Sequence, residues 1–185
     1  MVDLQPRATL LNMHEHDNLS RIRQAIDETD NAILRLIEQR LELAKEMAGA
    51  KQAKASRSPL RPSREVAILE RLKTQASTAD ATLIETVWRE LIGHGRQAQG
   101  PMRLVLFTHG DAALLEECAR RHFGSAIAVE WAASEEAALQ TTLQNPDIAV
   151  VDSSSDDLEL RYLGDIKTLS GVRLGFCYAG ITAED

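Results

Sequence analysis

The chain has 185 residues, 44% of them hydrophobic and 26% charged, and its formal net charge at pH 7 is −7. This length suits one domain or two small ones with enough apolar content for a core. No run of about eighteen apolar residues is present, which excludes a transmembrane helix, and the first residues lack the apolar segment of a signal peptide. Residues 1–100 carry 15 basic and 14 acidic residues, whereas residues 101–185 carry 6 and 14. This acidic second half argues against nucleic acid and anionic membranes as partners.

Cysteine and histidine give no sign of a metal or redox site. Cys118 and Cys177 have neither a metal-binding nor a redox spacing and are interpreted as buried thiols in a reducing compartment, so we expect a cytoplasmic protein. His14 and His16 alternate in a polar N-terminal segment, and we interpret residues 1–17 as a flexible leader rather than a metal site. No cofactor is expected.

Residues 19–51 are predicted to form one long helix. They contain no Pro, and their one Gly, Gly49, lies near the end. Apolar residues recur with the three-four spacing of a helical face: Leu19, Ile22, Ile26, Ile33, Ile37, Ala44, Met47 and Ala48. Asn18 or Ser20 is the predicted N-cap. A helix of roughly 50 Å is longer than one small domain can cover, so we expect a partner from this chain or from a second copy.

Three cations on this helix are candidate binding residues. Arg40 and Lys51 are eleven residues apart and project within about 20° of each other, close to the apolar face. Arg23 lies about 25 Å earlier along the axis and projects roughly 100° away, so it cannot easily share a pocket with Arg40 in one chain. In an antiparallel dimer it could reach the partner's pocket. Each cation taken singly is more simply a snorkelling side chain.

A second helix is predicted after a break. Pro59 and Pro62 exclude a continuous helix, and Ser63 is the predicted N-cap of residues 64–76. Glu65 in the first turn is favoured by the helix dipole, whereas Arg64 is not, which makes Arg64 the more informative of the two.

A third helix is predicted to start at Asp80 and to end before Gly100–Pro101, the expected domain boundary. Its predicted inward face comprises Leu83, Ile84, Val87, Trp88, Leu91 and Ile92. Gly93 and Gly95 each cost about 1 kcal/mol relative to Ala inside a helix. They indicate either fraying or a close approach of another group to the backbone.

Four ordered segments carry a family resemblance: IRQAID, IEQRLELAKEMAGAK, PLRPSRE and WRELIGHGRQAQ. Together they resemble the all-helical chorismate mutase family over about residues 18–100. The resemblance implies a three-helix domain, with a long first helix, that forms an intertwined homodimer. It also implies that chorismate is rearranged to prephenate without a cofactor.

The resemblance assigns roles to the cations. Arg23 corresponds to the arginine that each subunit contributes to its neighbour's active site. Arg40 and Lys51 correspond to the cations that hold the substrate carboxylates, and Lys51 also reaches the ether oxygen. Arg64 is the first member of an Arg-Glu pair that opens the second helix.

The same resemblance assigns two polar residues and reveals two departures. Glu65 corresponds to the glutamate that accepts a hydrogen bond from the ring hydroxyl, and Gln99 to the amide that donates to the ether oxygen. Pro62 occupies the place of an acidic residue, which leaves one polar substrate contact in doubt. Gly95 occupies a substrate-binding position at which many members have Ser, which removes a hydroxyl.

Two alternatives to the mutase remain open. One is an isochorismate pyruvate lyase, because similar cations serve a similar substrate. The other is a non-catalytic helical dimer that binds a shikimate-pathway metabolite or a partner protein.

Residues 101–185 are predicted to form a small, mostly parallel α/β domain of unknown role. Strands are expected within residues 102–110, 125–133, 146–155 and 172–180, helices within 111–124 and 135–145, and a short helix within 156–169. Thr108–Gly110 is interpreted as a strand-end turn, and Asp152 with the serines after it as a solvated loop. This half faintly resembles one lobe of prephenate dehydratase, but it is too short for a two-lobed site. A regulatory, dimer-stabilising or remnant role is expected.

Overall fold

The structure is a computed structural model that describes residues 5–52, 60–152, 160–168 and 170–180, with side chains within 17–49, 60–152, 161–168 and 170–180. Two compact units divide the chain, Met1–Arg40 and Leu41–Asp185. The chain as a whole is not all-helical, because a helical N-terminal part is followed by a mixed α/β sheet. Among the described residues, no helix has both the length and the apolar character needed to cross a membrane.

The first helix, α1 (Gln5–Gln52), is continuous. It is longer than predicted and begins within residues 1–17. The predicted N-cap was wrong, because Asn18 and Ser20 both lie inside the helix; the Asn18 side chain instead accepts a hydrogen bond from Arg21 at 3.0 Å. The side chains of His14 and His16 lie outside the described set. Large apolar side chains stay exposed along α1: Leu19, Ile22, Ile26, Ile33, Leu34, Leu36, Leu43 and Met47.

Two shorter helices follow, α2 (Pro62–Gln75) and α3 (Ala81–Gln97). The N-cap of α2 is Arg61 rather than Ser63, because Pro62 fits the first helical position with its fixed φ and missing N–H. Asp80 caps α3 as predicted and accepts from the Leu83 backbone N–H at 2.7 Å. Of the predicted inward face, Ile84 and Ile92 are buried, whereas Leu83 and Val87 are exposed in the single chain.

A five-stranded sheet forms the second half, in the order β2-β1-β3-β5-β4. Its strands are β1 (Arg103–Phe107), β2 (Ala128–Trp131), β3 (Ile148–Val151), β4 (Leu160–Lys167) and β5 (Arg173–Gly180), with helices α4 (Ala112–Phe123) and α5 (Glu135–Gln144) between them. The strand β1 pairs in parallel with β2 and β3, whereas β5 is antiparallel to both β3 and β4. The expectation of a mostly parallel sheet was therefore wrong.

A short helix was predicted within residues 156–169. This prediction was also wrong, because the described residues Leu160–Lys167 form the strand β4. A short turn joins β4 to β5, closed by the Thr168 backbone N–H bonded to the Val172 carbonyl at 2.9 Å, with Gly171 at φ 81°. A connection this short permits only antiparallel pairing. Pairing with β5, rather than local preference, makes this segment a strand.

Helices cover both faces of the sheet. Leu104, Leu106 and Ile148 share a buried cluster with Leu115 and Ala119 of α4. On the opposite face, Val105, Ala149 and Val151 pack with Ala138 and Leu139 of α5. Such two-sided burial explains why β1 and β3 are continuous apolar runs rather than alternating ones.

The helix α3 meets the C-terminal end of α4 backbone to backbone. A Cβ at Gly93 would lie 2.5 Å from the Phe123 carbonyl oxygen and 3.0 Å from Gly124 Cα. Gly124, at φ 93°, is itself close to the Arg89 carbonyl. The close approach that Gly93 indicated is therefore confirmed, and it joins the third helix to the α/β half.

Candidate active site

Glu65 lies at the centre of a buried charged cluster between α2 and α3. It occupies the first turn of α2 with its side chain turned away from solvent. One carboxylate oxygen, Oε1, is 3.6 Å from Arg96 Nε, and Oε2 is 4.0 Å from Arg89 Nη1. Both arginines project from α3. The cluster is thus one carboxylate between two guanidinium groups, in a place where each charge depends on the others for compensation.

Arg96 is the most deeply buried of these groups, with 2% of its surface exposed. Its Nη2 donates to the Phe123 carbonyl at the end of α4 at 3.0 Å, and its guanidinium carbon lies 5.4 Å from the centre of the Phe123 ring. Nε and Nη1 are buried and make no hydrogen bond to any described residue. Burial lowers the pKa of Arg96, and the Glu65 carboxylate opposes that shift.

A cavity of about 210 Å³ adjoins Glu65, and both halves of the chain form its walls. Leu60, Pro62 and Val66 line it from the helical side. The α/β side contributes a larger set: His122, Phe123, Leu163, Gly164, Asp165 and Cys177. The lining is thus largely apolar, and its charged members are Glu65, Arg89 and Asp165.

His122 and Cys177 carry no charge near neutral pH. Burial lowers the pKa of His122 to about 3, and the positive charges of Arg89 and Arg96 add to this effect. Burial likewise raises the pKa of the Cys177 thiol. Neither residue therefore supplies a counter-charge to the Glu65 cluster.

A second cavity of about 430 Å³ shares Arg89, His122 and Asp165 with the first. Further charged groups line it on α3, α4 and β4: Glu85, Arg121 and Lys167. Most of these charges already have partners. Glu85 is 3.1 Å from Lys73 and 3.5 Å from Arg89, and the Lys73 ammonium group helps hold the pKa of Glu85 below its ordinary value against the opposing effect of burial.

Gly95 lies in the last turn of α3, and Gln99 follows two residues after the end of that helix. Gly95 is buried, and the Gln99 side-chain amide donates to the Gly95 carbonyl at 3.0 Å. Gln99 would have to rotate away from this bond to donate to a ligand. Arg64 lies beside Glu65 in the sequence, but its side chain is exposed. The structure therefore brings Glu65 to α3 and leaves Arg64 on the solvent side of α2.

The three cations on α1 are only partly described. Arg23 is exposed and Arg40 half-buried, both in the unit Met1–Arg40. Lys51 lies in the last turn of α1, but its side chain is outside the described set. The convergence of these cations on one pocket stays a prediction.

Sequence reasoning missed the two arginines of α3. Arg89 and Arg96 are seven residues apart, and Ile92 lies between them at a spacing of three and four. That spacing places both cations on the buried face of the helix. A charge recurring every seven residues within an apolar face was the available signal.

The strand-end turn at Thr108–Gly110 is built around Asp152. Its Oδ2 accepts hydrogen bonds from Thr108 Oγ1 at 2.5 Å and from the His109 backbone N–H at 2.7 Å. Burial alone would raise the pKa of Asp152, but these bonds hold it below its ordinary value. The carboxylate is therefore occupied in shaping the turn; the serines at 153–155 lie outside the described residues. Within the described ranges no group of three or more His, Cys, Asp or Glu side chains could hold a metal ion.

Comparison with known proteins gives one result. The family model for chorismate mutase type II matches residues 22–100. No curated protein and no solved structure matches the chain. The match to chorismate mutase type II contains every predicted site residue, from Arg23 to Gln99, and also Arg89 and Arg96. It ends at Gly100, so the likeness of the α/β half to a dehydratase lobe is not confirmed.

Proposed function

We propose that the chain is a chorismate mutase, an isomerase that converts chorismate to prephenate. The match of the type II family model to residues 22–100 carries the proposal, because it spans the ordered set of candidate residues. The buried position of Glu65 beside an apolar cavity is in keeping with a site for a small ring acid.

The reaction needs no nucleophile, metal or redox group, since one bond breaks and one forms within the same molecule. The protein must fold the enolpyruvyl side chain of the dianionic substrate over its ring. In the proposed site, Arg40 and Lys51 bind the substrate carboxylates and Arg23 joins them from the partner copy; a guanidinium can pair with a carboxylate through two parallel hydrogen bonds. Holding the compact conformer removes part of the entropic barrier.

Charge stabilisation at the ether oxygen is the second component. In the proposed site, Lys51 and Gln99 donate to this oxygen as the carbon–oxygen bond breaks, and Glu65 accepts from the ring hydroxyl. A preorganised donor to a developing negative charge contributes about 3–4 kcal/mol to the transition state.

We also propose that two copies form the site, with Arg23 contributed across the interface. The exposed apolar side chains of α1 support this, since eight large residues along one helix present more apolar surface than a monomer usually exposes. Two copies of a long helix packed side by side would bury them.

The decisive assay follows the disappearance of chorismate and the formation of prephenate with the purified full-length chain. Lys51→Ala and Arg40→Ala should each lower kcat/KM by about 100-fold or more, as expected for loss of a cation that binds developing charge. Arg35→Ala is the matched control, because Arg35 is an exposed arginine on the same helix outside the candidate set; it should retain wild-type activity. A folded dimer without turnover would refute the proposal.

A non-catalytic metabolite-binding dimer is the second candidate. The absence of a hydroxyl at Gly95 favours it, as does the Gln99 amide bonded to its own helix. Binding of a transition-state analogue without turnover would support this candidate. The lyase alternative is tested separately, by supplying the purified chain with isochorismate and measuring the release of pyruvate.

A further inference from the structure

We propose that Arg96 is a positioning residue for Glu65, and that the end of α4 holds Arg96 in place through the Phe123 carbonyl. This inference rests on the proposed function. It gives residues 101–185 a role in the same site, because Phe123 belongs to the α/β half.

The geometry links three elements in series. Arg96 Nε is 3.6 Å from Glu65 Oε1 on α2, and Arg96 Nη2 is 3.0 Å from the Phe123 carbonyl on α4. A planar guanidinium held at one end by a backbone carbonyl has little freedom to turn. The position of its Nε, and with it the orientation of the carboxylate, therefore depends on where α4 ends.

Several contacts hold α4 against α3 at this point. The backbones meet at Gly93 and Gly124 with no room for a side chain. One turn earlier, Glu90 accepts from the Ser125 backbone N–H at 3.0 Å and from the Ser125 hydroxyl at 2.8 Å. The Phe123 carbonyl lies within this fixed segment, so it is a rigid anchor for Arg96.

The two charged groups nearest to Glu65 are cations, and they favour its ionised form. Arg96 and Arg89 face it from α3, and His122 on α4 is neutral at ordinary pH because its pKa is lowered to about 3. Asp165 on β4 and Cys177 on β5 line the same cavity. A carboxylate that accepts a hydrogen bond from a ring hydroxyl must keep its lone pairs free of a proton, and a nearby guanidinium favours that state.

The test compares Arg96→Met with Arg96→Lys in the full-length enzyme, with kcat and KM measured from about pH 5 to pH 8. Arg96→Met keeps the bulk and removes the charge, and it should lower kcat/KM at pH 7 by about 10–100-fold. The acid limb of the pH profile of kcat/KM for Arg96→Met should move about one pH unit upward, because loss of the cation favours protonated Glu65. Arg96→Lys keeps the charge and should restore the acid limb, with only part of the rate. Arg71→Met is the control, because Arg71 is exposed on α2 and bonded only locally to Gln75 among the described contacts.

A double-mutant cycle separates positioning from general structural support. If Arg96 acts through Glu65, adding Arg96→Met to Glu65→Gln should cost less than about 3-fold more. Additive losses would overturn the inference. So would an unchanged rate and pH profile in Arg96→Met or, if that variant does not fold, an unchanged kcat/KM in Arg96→Lys. An inactive wild type would overturn the proposed function and this inference together. An active wild type with unchanged kcat/KM and pH profile in Arg96→Met would overturn this inference alone.

Discussion

Gly93→Ala tests the junction between the two halves of the chain. The added Cβ would lie 2.5 Å from the Phe123 carbonyl oxygen, so the backbones must separate by about 0.9 Å to reach the 3.4 Å at which contacts become ordinary. The opposing atom is backbone, held by Arg96 and by the Glu90–Ser125 bonds. Overpacking of this kind costs about 1–3 kcal/mol, and the helix preference of Ala returns up to about 1 kcal/mol.

We therefore expect Gly93→Ala to unfold with a free energy about 1–2 kcal/mol below wild type. For a chain of this size, that lowers Tm by about 2–8 °C. Urea unfolding followed by far-ultraviolet circular dichroism, at one fixed protein concentration, measures the difference. Gly49→Ala is the matched control: it replaces a helical glycine with no atom within 4 Å, and it should be about 0.5–1 kcal/mol more stable than wild type. A Gly93→Ala variant as stable as wild type would contradict the contact.

Two further predictions concern acid stability and assembly. His122 has a pKa of about 3 when folded and about 6.5 when unfolded, so the unfolded chain binds the proton first and stability is lost as pH falls from about 6.5 toward 3. Between pH 7 and pH 5, His122→Gln should therefore lose about 2 kcal/mol less unfolding free energy than wild type in urea titrations, and equal losses would argue against a buried neutral imidazole. Ile26→Glu places a charge in the exposed apolar face of α1 and should convert the proposed dimer to monomer in sedimentation velocity, whereas Arg35→Ala should not; a wild type that is monomeric at all concentrations would exclude the dimer.

Local pattern predicted most of the helices and strands, and pairing partners explain the exceptions. Residues close together in the sequence determine three of these features: the periodicity of α1, the Asp80 cap, and the apolar runs of β1 and β3. The strand β4 is not, because its identity comes from antiparallel pairing with β5 through a short turn. The direction of β5 within the sheet is likewise a non-local property, which is why a mostly parallel sheet was expected.

The candidate site divides along the same line. Roles for Glu65 and Gln99 could be predicted, because the family resemblance depends on short contiguous segments of the sequence. The environment of Glu65 could not, because Arg96 and the Phe123 carbonyl reach it from elements 31 and 58 residues further along the chain. Gly93 was a local indication of this environment, since a glycine inside a helix indicates that another group can come close to the backbone.

The Glu65 cluster is in contact with the α/β half through Arg96 and Phe123. Glu65 faces two arginines, and all three side chains are largely withdrawn from solvent; Arg89 has a second partner in Glu85, whereas Glu65 is the carboxylate nearest to Arg96. Removing charge from water is costly unless other interactions compensate, and Phe123 compensates Arg96 with its carbonyl and with the face of its ring. In the proposed site, the same burial lowers the local dielectric constant and so strengthens the electrostatic interactions of the cluster. Arg96 itself belongs to α3, so what the α/β half contributes to the cluster is the Phe123 carbonyl that binds this cation beside Glu65.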